Sequence, residues 1–217
     1  MIDELDLFHG SDDDFSEFDA AYIKTSIYGC GFNFTTDIEL ASDYGNKIYT
    51  IEIPDSSKLF PMDYPSDEEK NMLFDEFVET INSEDIDITE ELDFKINKLH
   101  EKLSSEPKFY TVFWEMSTLL SSVLNADGNR IMSDILAKMG YIGTKKDIED
   151  GNFIVVLFNR NSFKIKKIEK ISESLKLIDS FKRVIRESNK HHPNRWIYMW
   201  TSERKSELTL TCSHFSL

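Results

Sequence analysis

The hydrophobic pattern of this chain changes twice along its 217 residues, and these changes constrain the fold more than any other feature. Residues 5–9, 31–35 and 47–53 alternate apolar and polar side chains, which predicts short strands. Between about 66 and 138, apolar residues recur every three or four positions, which predicts helices. Alternating segments return after residue 140. Strands on both sides of a helical block favour an α+β fold over a doubly wound parallel sheet.

Capping signals set the expected starts of the helices. Thr36 with Glu39, and Ser66 with Glu69, have the spacing of a capping box, and Thr89 can cap a further helix. The sequence therefore predicts a short helix before Gly45. It also predicts a mostly helical insertion over about residues 60–140 that covers the sheet and shapes the rim of a pocket.

The remaining elements follow from turn signals and alternation. Asp150-Gly151 predicts a hairpin between strands at 141–144 and 153–158, and 163–168 can form a further strand. An amphipathic helix is expected from Ser172 or Ser174. A terminal hairpin is expected from 196–200 and 208–212. We interpret residues 1–217 as one domain, with a C-terminal extension over about 170–217.

Composition excludes several classes of function. The formal net charge of -15 disfavours broad nucleic-acid binding but not a basic protein target. The two cysteines, Cys30 and Cys212, have no zinc spacing, so no metal site is predicted. No apolar run approaches the roughly 18 residues of a membrane span, and the acidic N-terminus does not resemble a signal peptide. A cytoplasmic location is expected, in the host cytoplasm if a virus encodes the protein.

Three short segments carry the candidate chemistry. They are Leu7–Ser11 (LFHGS), Gly29–Thr35 (GCGFNFT) and Ala41–Tyr44 (ASDY). Taken singly, they indicate a turn histidine, a glycine turn and a core tyrosine. Met139–Gly143 (MGYIG) adds a fourth segment at the end of the helical block.

Together, these segments resemble the diphtheria-toxin and PARP-like ADP-ribosyltransferases. That family has a strand ending in His-Gly-Ser/Thr, then a Gly-x-Gly strand with a tyrosine, then an alanine and a tyrosine on the next helix. The eleven residues from Asn33 to Tyr44 match the spacing of the two family tyrosines. The resemblance is closest to transferase domains of phage polyvalent proteins and phage anti-CRISPR transferases, and it covers about residues 5–53 and 128–168.

The resemblance implies an NAD site. His9 would hydrogen-bond the adenosine ribose, the Gly10 backbone would hold the nicotinamide carboxamide, and Ser11 would lie beside it. Tyr44 would stack on the nicotinamide ring, as an aromatic ring can on a planar cation. Asn33 replaces the middle tyrosine of the family. The full set of expected NAD-binding residues is His9, Gly10, Ser11, Gly31, Asn33 and Tyr44.

The expected catalytic residues are Glu149, His9 and Asn33. The family acid stands at the start of a late strand, where this chain has Asn152 and Ile154. We expect Glu149, in the preceding turn, to serve instead, with Asp147, Asp150 and Asn152 as alternatives. A carboxylate there would stabilise the positive charge that develops on the ribose as nicotinamide leaves.

The resemblance implies an ADP-ribosyltransferase-like fold of two packed, mostly antiparallel sheets, with a helical insertion and a C-terminal helix plus hairpin. Its function would be mono-ADP-ribosyl transfer from NAD, as substrate, to a protein or other macromolecule, as in a phage or toxin effector directed against host defence. The alternative is a catalytically degenerate transferase fold that acts as an inhibitor or scaffold. A third option is an NAD hydrolase.

Overall fold

The computed structural model describes residues 5–19, 22–84, 89–106 and 108–171, together with strand backbone at 198–199 and 211–212. Residue contacts divide the chain into two compact units, residues 1–170 and 171–217. The first unit contains the candidate site. In the second unit, the described part is an antiparallel strand pair, β9 and β10. The amphipathic helix expected from Ser172 or Ser174 lies outside the described residues.

The first unit is an α+β assembly of eight strands and five α-helices among its described residues. The ten strands of the two units are β1 Leu5–Ser11, β2 Lys24–Ser26, β3 Gly29–Thr35, β4 Lys47–Ile53, β5 Leu59–Pro61, β6 Gly143–Asp147, β7 Phe153–Leu157, β8 Lys164–Lys170, β9 Tyr198–Met199 and β10 Thr211–Cys212. The helices are α1 Ile38–Ser42, α2 Asp67–Ser83, α3 Glu90–Ser105, α4 Phe109–Leu124 and α5 Gly128–Lys138. The α+β class predicted from the periodicity is confirmed.

The strands of the first unit form one sheet in the order β5-β6-β7-β3-β1-β4-β8, with β2 paired to β3. All pairings are antiparallel except that of β5 with β6. The pairing between β1 and β3, at the centre of the sheet, is short. All seven residues of β1 pair with β4, whereas the described register between β1 and β3 is one pair, Phe8 with Thr35. Beyond that pair the two strands fork.

The expectation of two separate packed sheets is therefore wrong for the described residues. Two groups of strands are present, β1-β4-β8 and β2-β3-β7-β6-β5, but the Phe8–Thr35 pair joins them into one hydrogen-bonded path. Alternation within a strand indicates which residues share a face, but it carries no information about which strands become neighbours. The antiparallel character was predicted correctly.

The short helix α1 begins one residue later than its capping signal suggests. Asp37, not Thr36, is the N-cap, and its carboxylate accepts hydrogen bonds from the N–H groups of Glu39 and Leu40. The Thr36 hydroxyl instead accepts from the N–H of Phe153 at 2.8 Å. The Thr36 side chain, which the local pattern assigned to the N-cap, is therefore engaged in a tertiary contact with β7.

Helices are confirmed in the block expected to be helical, at residues 67–83, 90–105, 109–124 and 128–138, whereas its first residues belong to β5. Ser66 and Glu69 form the predicted capping box, and the Thr89 hydroxyl accepts from the N–H of Leu92. Helices α2 to α5 enclose a core of Leu, Ile, Phe and Met side chains that includes Phe77 and Phe113, both fully buried. Among the described residues, no helix is long and apolar enough to cross a bilayer.

A second core lies on one face of the sheet. The buried residues of this sheet core are Leu7, Phe18, Phe32, Phe34, Tyr49, Ile51, Ile53, Leu59, Val155, Leu157 and Phe163. As expected, Phe32 and Phe34 belong to it, each 3% exposed. Phe18 comes from the segment between β1 and β2, to which the sequence assigned no structure.

The β6–β7 connection is the predicted hairpin. Asp150 and Gly151 both have positive φ, 62° and 74°, in the turn Glu149–Gly151. This geometry explains why Asp-Gly is favoured there. The parallel pairing of β5 with β6 was not predicted, because its partners are more than 80 residues apart in the sequence.

The end of β1 is fixed to α1 by a contact that tolerates no side chain. A Cβ on Gly10 would lie 1.8 Å from the Ala41 carbonyl oxygen, so a substitution must push the helix away. We expect Gly10→Ala to lower the free energy of unfolding by about 1–3 kcal/mol, as overpacking does. Urea denaturation measures the change.

The matched control is Gly140→Asn. Unlike Gly10, Gly140 has a positive φ of 95°, but a Cβ there meets nothing within 4 Å. A side chain is strained at this φ, but Asn is found at helix ends more readily than most residues, so we expect a loss of about 1 kcal/mol that comes from the backbone and not from a collision. Equal stabilities of Gly10→Ala and the parent protein would contradict the close contact between β1 and α1.

Candidate functional site

His9 lies where β1 and β3 separate. One residue beyond the Phe8–Thr35 pair, its Nδ1 lies 2.9 Å from the backbone carbonyl oxygen of Asn33. A carbonyl accepts and does not donate, so Nδ1 must carry the proton. The imidazole therefore continues the connection between the two strands after their backbone pairing has ended, and its Nε2 is left as an acceptor.

The imidazole is half-buried among aromatic rings. Burial lowers the pKa of His9, and the hydrogen bond to the Asn33 carbonyl opposes this shift without cancelling it. His9 is therefore neutral at pH 7, in agreement with the proton on Nδ1. The rings around it belong to Phe15, Phe18, Tyr22, Phe34 and Tyr49, with centroids 5.1–6.4 Å from the imidazole.

Gly10 brings α1 against the end of β1. The Cβ that Gly10 lacks would lie 3.2 Å from the Cβ of Tyr44. A Cβ on Gly45 would similarly lie 2.0 Å from the carbonyl carbon of Ser11. The structure therefore brings Tyr44 next to the residue that follows His9, although the two lie 35 positions apart in the sequence. The Tyr44 side chain is 71% exposed and does not belong to the core.

His9 and Tyr44 approach β1 from different sides. Successive side chains on a strand point to opposite faces, so the His9 ring lies on the face of the sheet core, and the Cβ direction of Gly10 faces α1. A ligand that contacts both rings must therefore lie along the edge of β1 at residues 9–10. This edge faces the fork between β1 and β3, where the pairing of the two strands has ended.

The other predicted binding residues lie close by, and their polar groups have partners. Ser11 is buried, and its hydroxyl accepts from the N–H of Asp13 at 3.1 Å. Asn33 is half-buried, and its amide nitrogen donates to the Gly31 carbonyl at 3.4 Å. Gly31 lies against β7, where a Cβ would collide with the Leu157 carbonyl oxygen at 2.3 Å. Gly31 therefore has a packing role beside any role in binding.

The predicted catalytic acids all lie around the β6–β7 hairpin. The backbone of Glu149 lies in the turn, but its side chain is outside the described atoms. The N–H of Asp147 donates to the Asp63 carboxylate at 2.7 Å. Asp150 is exposed in the turn. The amide oxygen of Asn152 accepts from the Thr36 hydroxyl at 3.1 Å, which links the start of β7 to the end of β3.

Four residues whose rings contact His9 were missed by the sequence reasoning: Phe15, Phe18, Tyr22 and Tyr49. Tyr49 is fully buried on β4 directly opposite His9 in the register. Its alternation with Ile51 was a signal for the core face, but the cross-strand partner was unknown. Phe15 stacks on Tyr49 with centroids 4.0 Å apart, and nothing in its acidic neighbourhood indicates such a position.

Among residues 5–19, 22–84, 89–106 and 108–171, no three His, Cys, Asp or Glu side chains form a group suited to a metal ion.

Comparisons with known proteins identify no family for this chain. No family model and no curated protein matches it. Among solved structures, the crystal structure of an anti-CRISPR protein is a distant match, with 18% identity and a TM-score of 0.38. The match covers 77% of this chain and 96% of the other. Similarity at this level establishes neither a shared fold nor a shared function.

The depressed pKa of His9 makes stability depend on pH. In the unfolded chain the imidazole takes up a proton near pH 6.5, whereas the folded protein takes it up at lower pH. The unfolded state therefore binds more protons as the pH falls below about 6.5, and this contribution to stability is lost. We expect His9→Gln to make the free energy of unfolding fall less steeply between pH 7.5 and 5.

The control is His100→Gln, at an exposed position of α3. Urea denaturation at several pH values gives the slopes. If His9→Gln retained the slope of the parent protein while His100→Gln reduced it, the neutral state assigned to His9 would be wrong.

Proposed function

We propose that the chain binds NAD at the fork between β1 and β3 and transfers its ADP-ribosyl group to a protein target. The observation that carries this proposal is the joint placement of His9, Gly10 and Tyr44. Separate segments of the sequence supply His9 and Tyr44, and close backbone contact holds them at one strand end. Their order and spacing are those that resemble the ADP-ribosyltransferases.

The state of His9 suits a ribose. Its Nδ1–H is donated to the Asn33 carbonyl, so Nε2 offers a lone pair to a hydroxyl group. A protonated imidazole would offer a donor on both nitrogens, but burial lowers the pKa of His9 and keeps the ring neutral. The imidazole would thus fix the position of the adenosine ribose without adding charge to the site.

The exposure of Tyr44 suits the nicotinamide ring. A tyrosine that is 71% exposed at the end of a five-residue helix contributes little to the core. Its ring can stack on a planar cation, which an aromatic face attracts electrostatically. With Asn33 in place of the middle tyrosine of the family, one aromatic ring rather than two would hold the nicotinamide.

The chemical step breaks the bond between the ribose C1′ and the nicotinamide nitrogen. Nicotinamide leaves with the bonding electron pair, and the ribose carries positive charge until a nucleophile of the target attacks C1′ and loses its proton. We assign Glu149 as the carboxylate that stabilises this charge and accepts the proton. Its backbone lies three residues before Asn152, where the family has its acid.

A second candidate function is supported by Asn152. Its amide oxygen is held by the Thr36 hydroxyl, so a neutral, engaged side chain stands at the start of β7. If no carboxylate reaches the ribose, the chain would bind NAD or a protein partner without turnover. The two candidates differ in whether nicotinamide is released.

Tyr44→Ala tests the binding site. Loss of the ring should weaken NAD binding roughly tenfold, the effect of about 1.4 kcal/mol, which lies within the range of a cation–π contact. Tyr44→Phe retains the aromatic face and should bind as the parent protein does. Isothermal titration with NAD gives both affinities. Identical affinities for Tyr44→Ala and the parent protein would remove Tyr44 from the site.

Glu149→Gln tests the reaction. Removing the carboxylate should slow ADP-ribosyl transfer by about 10²–10⁴-fold while NAD still binds. Asp150→Asn removes the alternative carboxylate of the same turn, and a loss of transfer in that variant alone would assign the role to Asp150. The measurements are released nicotinamide and the mass gain of ADP-ribose on proteins of a cell extract. Absence of transfer by the parent protein, with NAD still bound, would favour the degenerate alternative.

A further inference from the structure

Thr36 lies where β3 ends, before α1 begins, and it contacts the start of β7. Its backbone N–H donates to the carbonyl oxygen of Phe153 at 3.0 Å, and its hydroxyl accepts from the N–H of the same residue at 2.8 Å. The hydroxyl also donates to the amide oxygen of Asn152 at 3.1 Å. These hydrogen bonds fix the chain directly after the turn that carries Glu149.

The residues that follow Thr36 are fixed as well. The carboxylate of Asp37 caps α1, and after this short helix the N–H of Tyr44 donates to the carbonyl oxygen of Ala41 at 3.1 Å. Ala41 is also the residue that Gly10 touches, so α1 is held against β1. Residues 36–44 thus form one hydrogen-bonded segment, which runs from the start of β7 to Tyr44.

The other end of the turn is held by Asp63. One oxygen of its carboxylate accepts from the N–H of Asp147 at 2.7 Å, and the other pairs with the ammonium group of Lys146. The side chains of Asp63 and Lys146 are 14% and 15% exposed, so solvent screens this pair little. Because Asp63 and the pairing of β6 with β7 do not depend on Thr36, loss of its hydroxyl should displace the turn without unfolding the sheet.

We propose that Thr36 is a positioning residue of ADP-ribosyl transfer, which holds the turn that carries Glu149 at a fixed distance from the helix that leads to Tyr44. This inference rests on the proposed function, because Thr36 acts only through those two residues. Thr36 is not itself a catalytic residue, since its hydroxyl already donates to Asn152 and accepts from Phe153.

The chemical step depends on this distance. The nicotinamide that stacks on Tyr44 must leave C1′ while the carboxylate of Glu149 faces the positive charge that develops there. A misplacement of about 1 Å that starts far from the chemistry can slow a reaction by ~10²-fold. The binding contacts of NAD lie on β1, β3 and α1 in the proposed site, and not on the turn. Displacement of the turn should therefore slow the reaction and leave the affinity for NAD unchanged.

Thr36→Val tests the inference, because valine has nearly the shape of threonine but lacks the hydroxyl. Isothermal titration with NAD gives Kd and the number of competent sites. Released nicotinamide, measured at saturating NAD in a cell extract that supplies the target, gives the rate per site. We expect this rate to fall about ten- to hundredfold in Thr36→Val, with an unchanged Kd.

Two further variants serve as controls. Thr36→Ser keeps the hydroxyl and should restore the rate. Thr80→Val is the matched control, because the Thr80 hydroxyl is also half-buried but donates within α2, to the carbonyl of Glu76. Thr80→Val should keep both the rate and the affinity of the parent protein. Counting NAD-binding sites removes unfolded molecules from the rate, so a purely structural role of Thr36 would leave it unchanged.

The outcomes separate the positioning role from the proposed function. A lower rate in Thr36→Val that Thr36→Ser restores, at an unchanged Kd, supports the role. A parent-like rate in Thr36→Val overturns it and leaves the proposed function intact. An equal loss in Thr36→Val and Thr80→Val, or no recovery in Thr36→Ser, also overturns it.

If the parent protein releases no nicotinamide, the proposed function fails and the positioning role falls with it. If Thr36→Val does not fold, Thr36→Ala removes the same hydroxyl with a smaller side chain. A parent-like rate per site in Thr36→Ala then overturns the role.

Discussion

The hydrogen bond from His9 Nδ1 to the Asn33 carbonyl is the interaction on which the rest of the site depends. It lies one residue beyond Phe8–Thr35, the pair that joins the two groups of strands. By accepting from a side chain, the Asn33 carbonyl holds β1 and β3 near each other after their backbone pairing has ended. The same bond fixes the tautomer of the imidazole, and with it the acceptor that faces a ligand.

Helices and strands were predictable from the sequence where interactions between neighbouring residues determine them. The alternation of residues 47–53 predicts β4 with its observed bounds, and the box of Ser66 and Glu69 predicts the start of α2. At the start of α1 two polar residues compete. Thr36 is drawn to Phe153 on β7, and this leaves Asp37 as the cap. The N-cap of α1 is thus determined by the contact between Thr36 and Phe153, which lie 117 positions apart. A pattern of neighbouring residues cannot reveal such a contact.

The candidate site was predictable as a set of residues, but its environment was not. The motif spacing indicated His9 and Tyr44, and the structure holds their neighbourhoods together through Gly10. The burial of His9 had no sequence signal. Phe15 and Phe18 stand among acidic residues without strand or helix periodicity, so hydrophobic patterning assigns them to a solvated loop. Their positions depend on Tyr49, whose hydroxyl hydrogen-bonds the backbone of Asp13 and Phe15. This contact requires β4 to be paired with β1, which the sequence pattern does not indicate.

The two sides of the site are built from different contacts, and both follow from residue size. On the side of α1, Gly10 and Gly45 allow a backbone contact with Ala41 and Ser11 that any side chain would prevent. On the other side, the contacts of His9 are made by large rings, and those of Phe18 and Tyr49 belong to the sheet core. The tautomer of His9 is therefore fixed by the sheet itself, because both partners of the bond that sets it lie on strands, β1 and β3.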